Sequence, residues 1–458
     1  MRLPPYHVAP YILLAVLLPG CTATPGHAID DVGIPAPSRW LTENTGQPPL
    51  AQWLLAFADP ALSALVQEAL SGNYDLKAAA ARVHAAQEQA LIQDSARWPQ
   101  LALTPSLSRM KDFATPASGA FSALFNLSWE IDLWGRIRAA QQATQQDADA
   151  AQADFYGARL SLAAHIAQGY FDLAEARQQV DVVQQSVNDR QTIVELVHGR
   201  FARGLTKGLD LRLVLTDLAN AKSQLANANN QVQAISRQLE VLSGRYPQGR
   251  LTATSALPPP PATLRAGLPS ELLTRRPDLI AAFSRLQAAD ARVKSAQLAL
   301  LPRLTLTADG GTSSPALAAI TDPRSAAWNL GLGLVQPLLA GGRLKAEIRL
   351  NEARTDEALN QYRSVALNAF REVEQALAAE TWLRSQEQAL QEAVVQTHAS
   401  RELAVYSYRQ GLIEILTLLD SYRSTLNAQS AHLAVRRQLL NTRINLYLAL
   451  GGGLDETR

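Results

Sequence analysis

Residues 121–132 read Phe121-Ser122-Ala123-Leu124-Phe125-Asn126-Leu127-Ser128-Trp129-Glu130-Ile131-Asp132. Phe121, Ala123, Phe125, Leu127, Trp129 and Ile131 fall on one side of an extended chain. Ser122, Asn126, Ser128, Glu130 and Asp132 fall on the other, with Leu124 the exception. Side chains of a strand alternate between two faces, so this spacing predicts a strand with one apolar and one wet face. Runs of about ten alternating residues are what a membrane β-strand requires.

The pattern recurs three times. Leu101, Leu103 and Leu107 alternate with Ala102, Thr104, Ser106 and Ser108 just upstream. Leu304, Leu306 and Ala308 alternate with Arg303, Thr305, Thr307 and Asp309, and Trp328, Leu330, Leu332 and Leu334 alternate with Asn329, Gly331 and Gly333. Trp98, Trp129 and Trp134 stand near strand ends, where the aromatic girdle of a membrane barrel would lie. Two half-buried hairpins of a soluble protein would show the same alternation, and the N-terminus weighs the reading toward the membrane. Four strands cannot close a barrel, because the smallest membrane barrels use about eight. The barrel must therefore be shared between chains.

The chain is also duplicated. Arg82-Val83-His84-Ala85-Ala86 with Pro99-Gln100-Leu101 matches Arg285-Leu286-Gln287-Ala288-Ala289 with Pro302-Arg303-Leu304. Gly135-Arg136 matches Gly342-Arg343, and Phe201-Ala202-Arg203-Gly204 matches Tyr408-Arg409-Gln410-Gly411. The offset grows from about 203 to about 207 between Pro302 and Gly342, which places a longer loop in the second copy. Long stretches with almost no helix breaker follow each hairpin, Trp134 to Arg200 and Arg343 to Gln410. At about 1.5 Å per residue such helices would reach about 100 Å. Shorter helices follow, over Leu211 to Leu242 and Ile413 to Leu450, and their apolar residues recur at three- and four-residue steps. Tyr246 to Pro269, with Pro258 to Pro261 in a row, reads as an extended linker.

The N-terminus carries an address. Arg2, the apolar run Tyr11 to Leu18, and Leu18-Pro19-Gly20-Cys21 read as a secretory signal ending in a lipobox, with Cys21 the lipidated first residue. Cys21 is the only cysteine, so no disulfide competes for it. Thr22 follows it where an aspartate would retain the protein at the inner membrane, which favours the outer one. No other stretch is long and apolar enough for a transmembrane helix. With 42 basic against 41 acidic residues, the chain lacks the basic surplus of a nucleic-acid binder. The seven histidines show no zinc-hydrolase spacing, Gly331-x-Gly333 lacks the rest of a dinucleotide fingerprint, and no Walker motif occurs. No catalytic, metal or cofactor site is expected, and energy for transport must come from a partner.

Several motifs, in order, resemble one family. Trp129-Glu130-Ile131-Asp132-Leu133-Trp134-Gly135-Arg136, Arg275-Arg276-Pro277-Asp278-Leu279, Tyr408-Arg409-Gln410-Gly411 with Leu416 to Asp420, and Leu450-Gly451-Gly452-Gly453 resemble the TolC-like outer membrane factors of the NodT-type lipoprotein branch. The resemblance covers about Leu50 to Gly453. It implies an α+β membrane protein, a homotrimer in which four strands per chain build a 12-stranded barrel continuing into a helical periplasmic tunnel. The expected organisation is a signal peptide 1–20 and a lipid-anchored arm 21–59. A first repeat 60–245 with hairpin 101–132, a linker 246–269, a second repeat 270–453 with hairpin 303–336, and a tail 454–458 complete it.

The implied function is a passive outer-membrane exit duct for drugs or other small molecules. Its implied partners are a periplasmic adaptor and an inner-membrane pump, with the motifs leaning toward a proton-driven one. A type I protein secretion duct and a non-conducting scaffold lipoprotein are the alternatives. By the resemblance, Leu416 and Asp420 line the pore gate, where three carboxylates would repel one another and attract cations. Asp210 and Tyr408 resemble the pair that ties the helices shut. Ile413 stands where some relatives carry a gate arginine, so Asp210 has Arg203 and Lys207 as alternative partners. Arg203, Gly204 and Gly411 mark the tip turns where an adaptor would dock.

Overall fold

The computed structural model describes residues 26–28, 32–34, 37–42, 53–111, 113, 118–253, 256–259, 262–264, 266–267 and 269–452. The signal stretch, Cys21 and the tail 454–458 lie outside the described residues. Two compact bodies are formed. One comprises the described residues within 1–33, 85–149 and 283–361, the other those within 34–84, 150–282 and 362–458.

The elements show the duplication residue by residue. The first copy contains α1 (Pro60–Gly72), α2 (Tyr74–Ser95), β1 (Gln100–Met110), β2 (Ser118–Ile131), α3 (Arg136–Ala202) and α4 (Gly208–Leu242). The second contains α5 (Pro277–Leu298), β3 (Arg303–Ser314), β4 (Ala326–Val335), α6 (Arg343–Arg409) and α7 (Ile415–Ala449). Helices α2 and α5 are each 22 residues long, α3 and α6 each 67, and α4 and α7 each 35. The extra residues of the second copy lie in the β3–β4 connection, which holds two short 3-10 turns, Leu317–Ala319 and Pro323–Ser325. No described helix is long and apolar enough to cross a membrane.

In the first body the four strands form one antiparallel sheet in the order β1-β2-β3-β4. Pro105 lies in β1, the first of the four strands, opposite Ala123 of β2. The Trp129-to-Arg136 block turns β2 into α3. Asp132 accepts from the N–H groups of Ile137 and Arg138 at 3.0 and 2.9 Å, satisfying two of the free donors that open the helix. Glu130 pairs with Arg136 at 2.8 Å, and the indoles of Trp129 and Trp134 donate to the carbonyls of Arg97 and Pro302. Polar side chains of this block thus fix the strand-to-helix corner, which explains why so short a stretch carries so much family likeness.

The second body is helical. It contains a cluster of rings in which Trp53 stacks on Tyr447 with centroids 5.7 Å apart and Phe57 lies against Phe171 at 5.2 Å. Among its described residues the arm 21–59 forms a 3-10 turn, Trp53–Phe57, in which Trp53, Leu54 and Phe57 are all buried. Arg276 of the Arg-Arg-Pro-Asp motif donates to the Ala449 carbonyl at 3.0 Å, closing the end of α7. At Gly451, with φ +69°, a Cβ would lie 3.0 Å from the Arg275 carbonyl oxygen, so the C-terminal glycine is required by close approach as well as by conformation. The linker is laced to α4 by Glu240, whose carboxylate accepts from the N–H groups of Gly249, Arg250 and Leu251 at 2.7, 2.8 and 3.1 Å. Burial pushes this carboxyl up, and the backbone donors together outweigh it, leaving its pKa below the usual glutamate range.

Candidate functional site: a two-faced sheet and a helical tip

The strand register sorts the sheet into two chemical faces. Leu101, Leu103 and Leu107 stand opposite Leu127, Phe125 and Phe121. Leu127, Trp129 and Ile131 stand opposite Ala308, Leu306 and Leu304, which in turn face Leu330, Leu332 and Leu334. One face is thus apolar across all four strands, and most of these leucines are more than half exposed, such as Leu101 at 65% and Leu332 at 68%. The opposite face carries Thr104, Ser106, Ser122, Asn126, Ser128, Thr305, Thr307, Asp309 and Asn329. Its groups bond one another across strands, Ser106 to Ser122 at 2.7 Å and the Asn126 amide to the Thr104 hydroxyl at 2.8 Å. An exposed apolar sheet face of this size needs lipid, and its two unpaired edges cannot be left in lipid.

In the second body, α3 and α6 end in the same turn. Gly204 and Gly411 adopt φ +73° and +78°, the left-handed conformation that costs other residues about 1–2 kcal/mol. Leu205 donates to the Arg200 carbonyl and Leu412 to the Ser407 carbonyl, both at 2.9 Å, the closing bond of a Schellman motif. Exposed around these turns are Arg203, Leu205 at 61%, Leu209 at 65% and Leu412 at 72%.

Tyr408 is buried here, 5% exposed, in a cluster with Ile193, Val197, Val214, Ile415, Leu418 and Leu419. The Arg200 guanidinium lies 5.2 Å from its ring centroid, and Arg200 donates to the Tyr408 carbonyl at 3.3 Å. Burial pushes the Tyr408 hydroxyl above the ordinary tyrosine range, partly opposed by Arg200.

Tyr408 and Asp210 are not bonded directly. Thr206 stands near both: its hydroxyl donates to the Asp210 carboxylate, and it joins Arg200 in opposing the rise of the Tyr408 hydroxyl. A carboxylate only accepts, so the Thr206 proton goes to Asp210, and Thr206 is the residue through which Tyr408 and Asp210 are connected. Asp210 also accepts from the Lys207 backbone N–H at 3.4 Å, as the third residue of a capping box, while Arg203 turns back to the Gly199 carbonyl at 2.9 Å. Of the alternative partners, Lys207 therefore meets Asp210 through its backbone alone, and Arg203 does not meet it.

Leu416 and Asp420 lie on the exposed side of α7. Leu416 is 56% exposed while its neighbours Ile415, Leu418 and Leu419 are buried. Asp420, one turn further on, shares that exposed side with Arg423. The sequence reading missed Thr206, Arg200 and a second tie, Asp189 to Arg401 at 2.8 Å, in which Arg401 also covers the Tyr422 ring at 5.4 Å. Nothing in a lone threonine or arginine announces a partner on another helix.

These features have counterparts in known proteins. The family model described as "Outer membrane efflux protein" matches residues 65–245 and 268–452. The chain is 34% identical over 469 residues to the pyoverdine export outer membrane protein OpmQ of Pseudomonas putida, covering 98% of each chain. It is 30% identical to the outer membrane protein OprJ of Pseudomonas aeruginosa, over 100% of this chain and 98% of that one. The open-state structure of the Neisseria gonorrhoeae MtrE outer membrane channel superposes with a TM-score of 0.84 at 27% identity, over 95% of this chain and 99% of that one. The fold and the two-faced sheet define a TolC-like, trimeric outer-membrane channel, to which each chain supplies four strands. The chain belongs to the outer membrane efflux protein family: it is a channel of efflux systems, not an enzyme, and its place is the outer membrane.

Proposed function

We propose that this channel is the passive exit duct of a tripartite pump, gated at the helical tip. Leu416 and Asp420 narrow the pore there, and the Tyr408–Thr206–Asp210 chain holds it shut. The observation that carries this reading is the contrast on one hairpin between buried Tyr408 and exposed Leu416. An apolar residue held in water beside a well-packed tyrosine suits a constriction that meets its copies on a threefold axis. A periplasmic adaptor would dock at the tip turns around Arg203, Gly204 and Gly411. An inner-membrane pump, proton-driven by the lean of the motifs, would supply the energy. The pyoverdine exporter among the relatives favours small-molecule cargo over the protein cargo of a secretion duct. Lipidated Cys21 would anchor the arm 21–59 after removal of 1–20, with the repeats at 60–245 and 270–453 joined by 246–269.

The test is the double variant Leu416→Ala/Asp420→Ala in the full-length trimer. Higher single-channel conductance, and entry of a large hydrophilic antibiotic into cells, are the expected results. Unchanged conductance and cation preference would leave Asp420 a solvated carboxylate and remove the gate from this place.

A further inference from the structure

The polar face of the sheet carries a charge that a gate at the tip does not explain. On that face β1 and β4 contribute no charged residue, β2 contributes Glu130, and β3 contributes Arg303 and Asp309. Glu130 is neutralised by Arg136 at 2.8 Å. Arg303 is the first residue of β3, six residues from Asp309 and so about 20 Å along the strand. Asp309 is therefore the one carboxylate standing free of a counter-charge within the span of the strands.

Its neighbours are arranged to hold it in place. Asn126 on β2 and Asn329 on β4 are its register partners on either side, and the Asn329 amide points at its carboxylate, Nδ2 to Oδ2 3.4 Å. Asn126 is in turn held by Thr104 on β1 at 2.8 Å. A row of uncharged amide and hydroxyl groups thus crosses all four strands with a single negative charge in it.

We propose that Asp309 is a second charge-selecting residue of the channel, set in the barrel wall, where it favours cations over anions of similar size. Three copies make a ring of three carboxylates with no basic side chain at the same level. The proposal rests on the reading of the polar face as the lumen wall. It is independent of the tip gate, since a solute that has passed the tip must still pass the ring. The bias is electrostatic and is therefore screened: it acts over about 30 Å at 0.01 M salt and over about 8 Å at 0.15 M.

Reaction rates of a thiol placed beside Asp309 measure the local potential without any need for the gate to open. Thr307→Cys, in a Cys21→Ser background, puts the only thiol on the same face two residues away, about 7 Å along the strand. Purified outer membranes are treated with methanethiosulfonates bearing either a trimethylammonium or a sulfonate group. The cationic reagent is expected to react faster, by a ratio of about five at 0.01 M salt and about two at 0.15 M, relative to the same thiol with Asp309→Asn. Asparagine keeps an oxygen for Asn329, so loss of the ratio would report loss of the charge. An equal ratio with and without Asp309 would overturn the assignment. Failure of both reagents to modify an assembled trimer would overturn the lumen reading itself.

Discussion

Replacing Tyr408 by Phe deletes one hydroxyl from the tip and leaves nearly everything else in place. The ring stays in its apolar cluster, and Arg200 still lies 5.2 Å from the ring centroid. What is lost is the hydroxyl beside Thr206, whose own hydroxyl donates to Asp210, and with it the first link of the proposed chain. A neutral hydrogen bond is worth about 0.5–1.5 kcal/mol net. The direct charge-assisted bond that the tyrosine–carboxylate pairing would have given is worth more, about 1.5–3 kcal/mol. The intervening threonine thus lowers the expected effect. At about 1 kcal/mol per chain, three tips opening together would shift the open–closed equilibrium by about 3 kcal/mol, roughly 150-fold, and tips opening singly by about fivefold each. Planar-bilayer recording of open probability reads this directly, and the amplitude of each opening should not change because the constriction is untouched. Thr206→Val cuts the same chain at its second link, so the double variant should open no more readily than the worse single variant. Additive effects, or a Tyr408→Phe channel that opens like the unaltered one, would refute the relay.

Three further outcomes are expected. Leu330→Arg on the apolar face should block outer-membrane assembly, since a lipid-facing arginine near mid-membrane costs about 2–4 kcal/mol per chain. Thr307→Lys on the polar face should be tolerated, and trimer yield in the outer-membrane fraction distinguishes the two. Glu240, with its pKa held below the unfolded value, contributes stability in full above about pH 4.5 that is lost as pH falls through the lower folded value. Protease nicking within 246–269 should therefore rise on acidification in the unaltered protein, whereas Glu240→Gln should be nicked readily at every pH. Finally, mass spectrometry of the mature protein should find a lipid-modified N-terminus at Cys21, and Cys21→Ser should still form trimers.

Much of the fold is local, and local features can be read from one sequence. The alternation at Phe121 to Ile131 depends only on neighbours two residues apart, and the helices α3 and α6 announce themselves by the near absence of breakers. The β2–β3 pairing could not be read that way. It joins Phe121 to Ser314 and Ile131 to Leu304 across the whole of the first copy, and no period in either strand specifies the register. The row of Asn126, Asp309 and Asn329 was invisible for that reason. At the tip, the positions Gly204, Gly411 and Tyr408 were legible because they recur or resemble a motif. The bonding was not, because a hydroxyl at Thr206 has no sequence signature for what it bridges. Repeat symmetry even points the wrong way there: Phe201 occupies the place of Tyr408 in the first copy yet is 44% exposed, against 5% for Tyr408.

The equal lengths of α3 and α6, 67 residues each, restrict how this protein can vary. One residue inserted into either helix would lift its terminal glycine by about 1.5 Å and rotate every later side chain by about 100°. Residues that now pack would be carried toward water, and the two turns would no longer stand level. Lengthening must come in matched steps in both copies, close to whole turns, if the turns are to meet a common partner. The β3–β4 connection is under no such rule, and it absorbed extra residues as two loose turns without disturbing a single helix length. Insertions in descendants of this chain should accumulate in the strand connections and be nearly absent between residues 136 and 202.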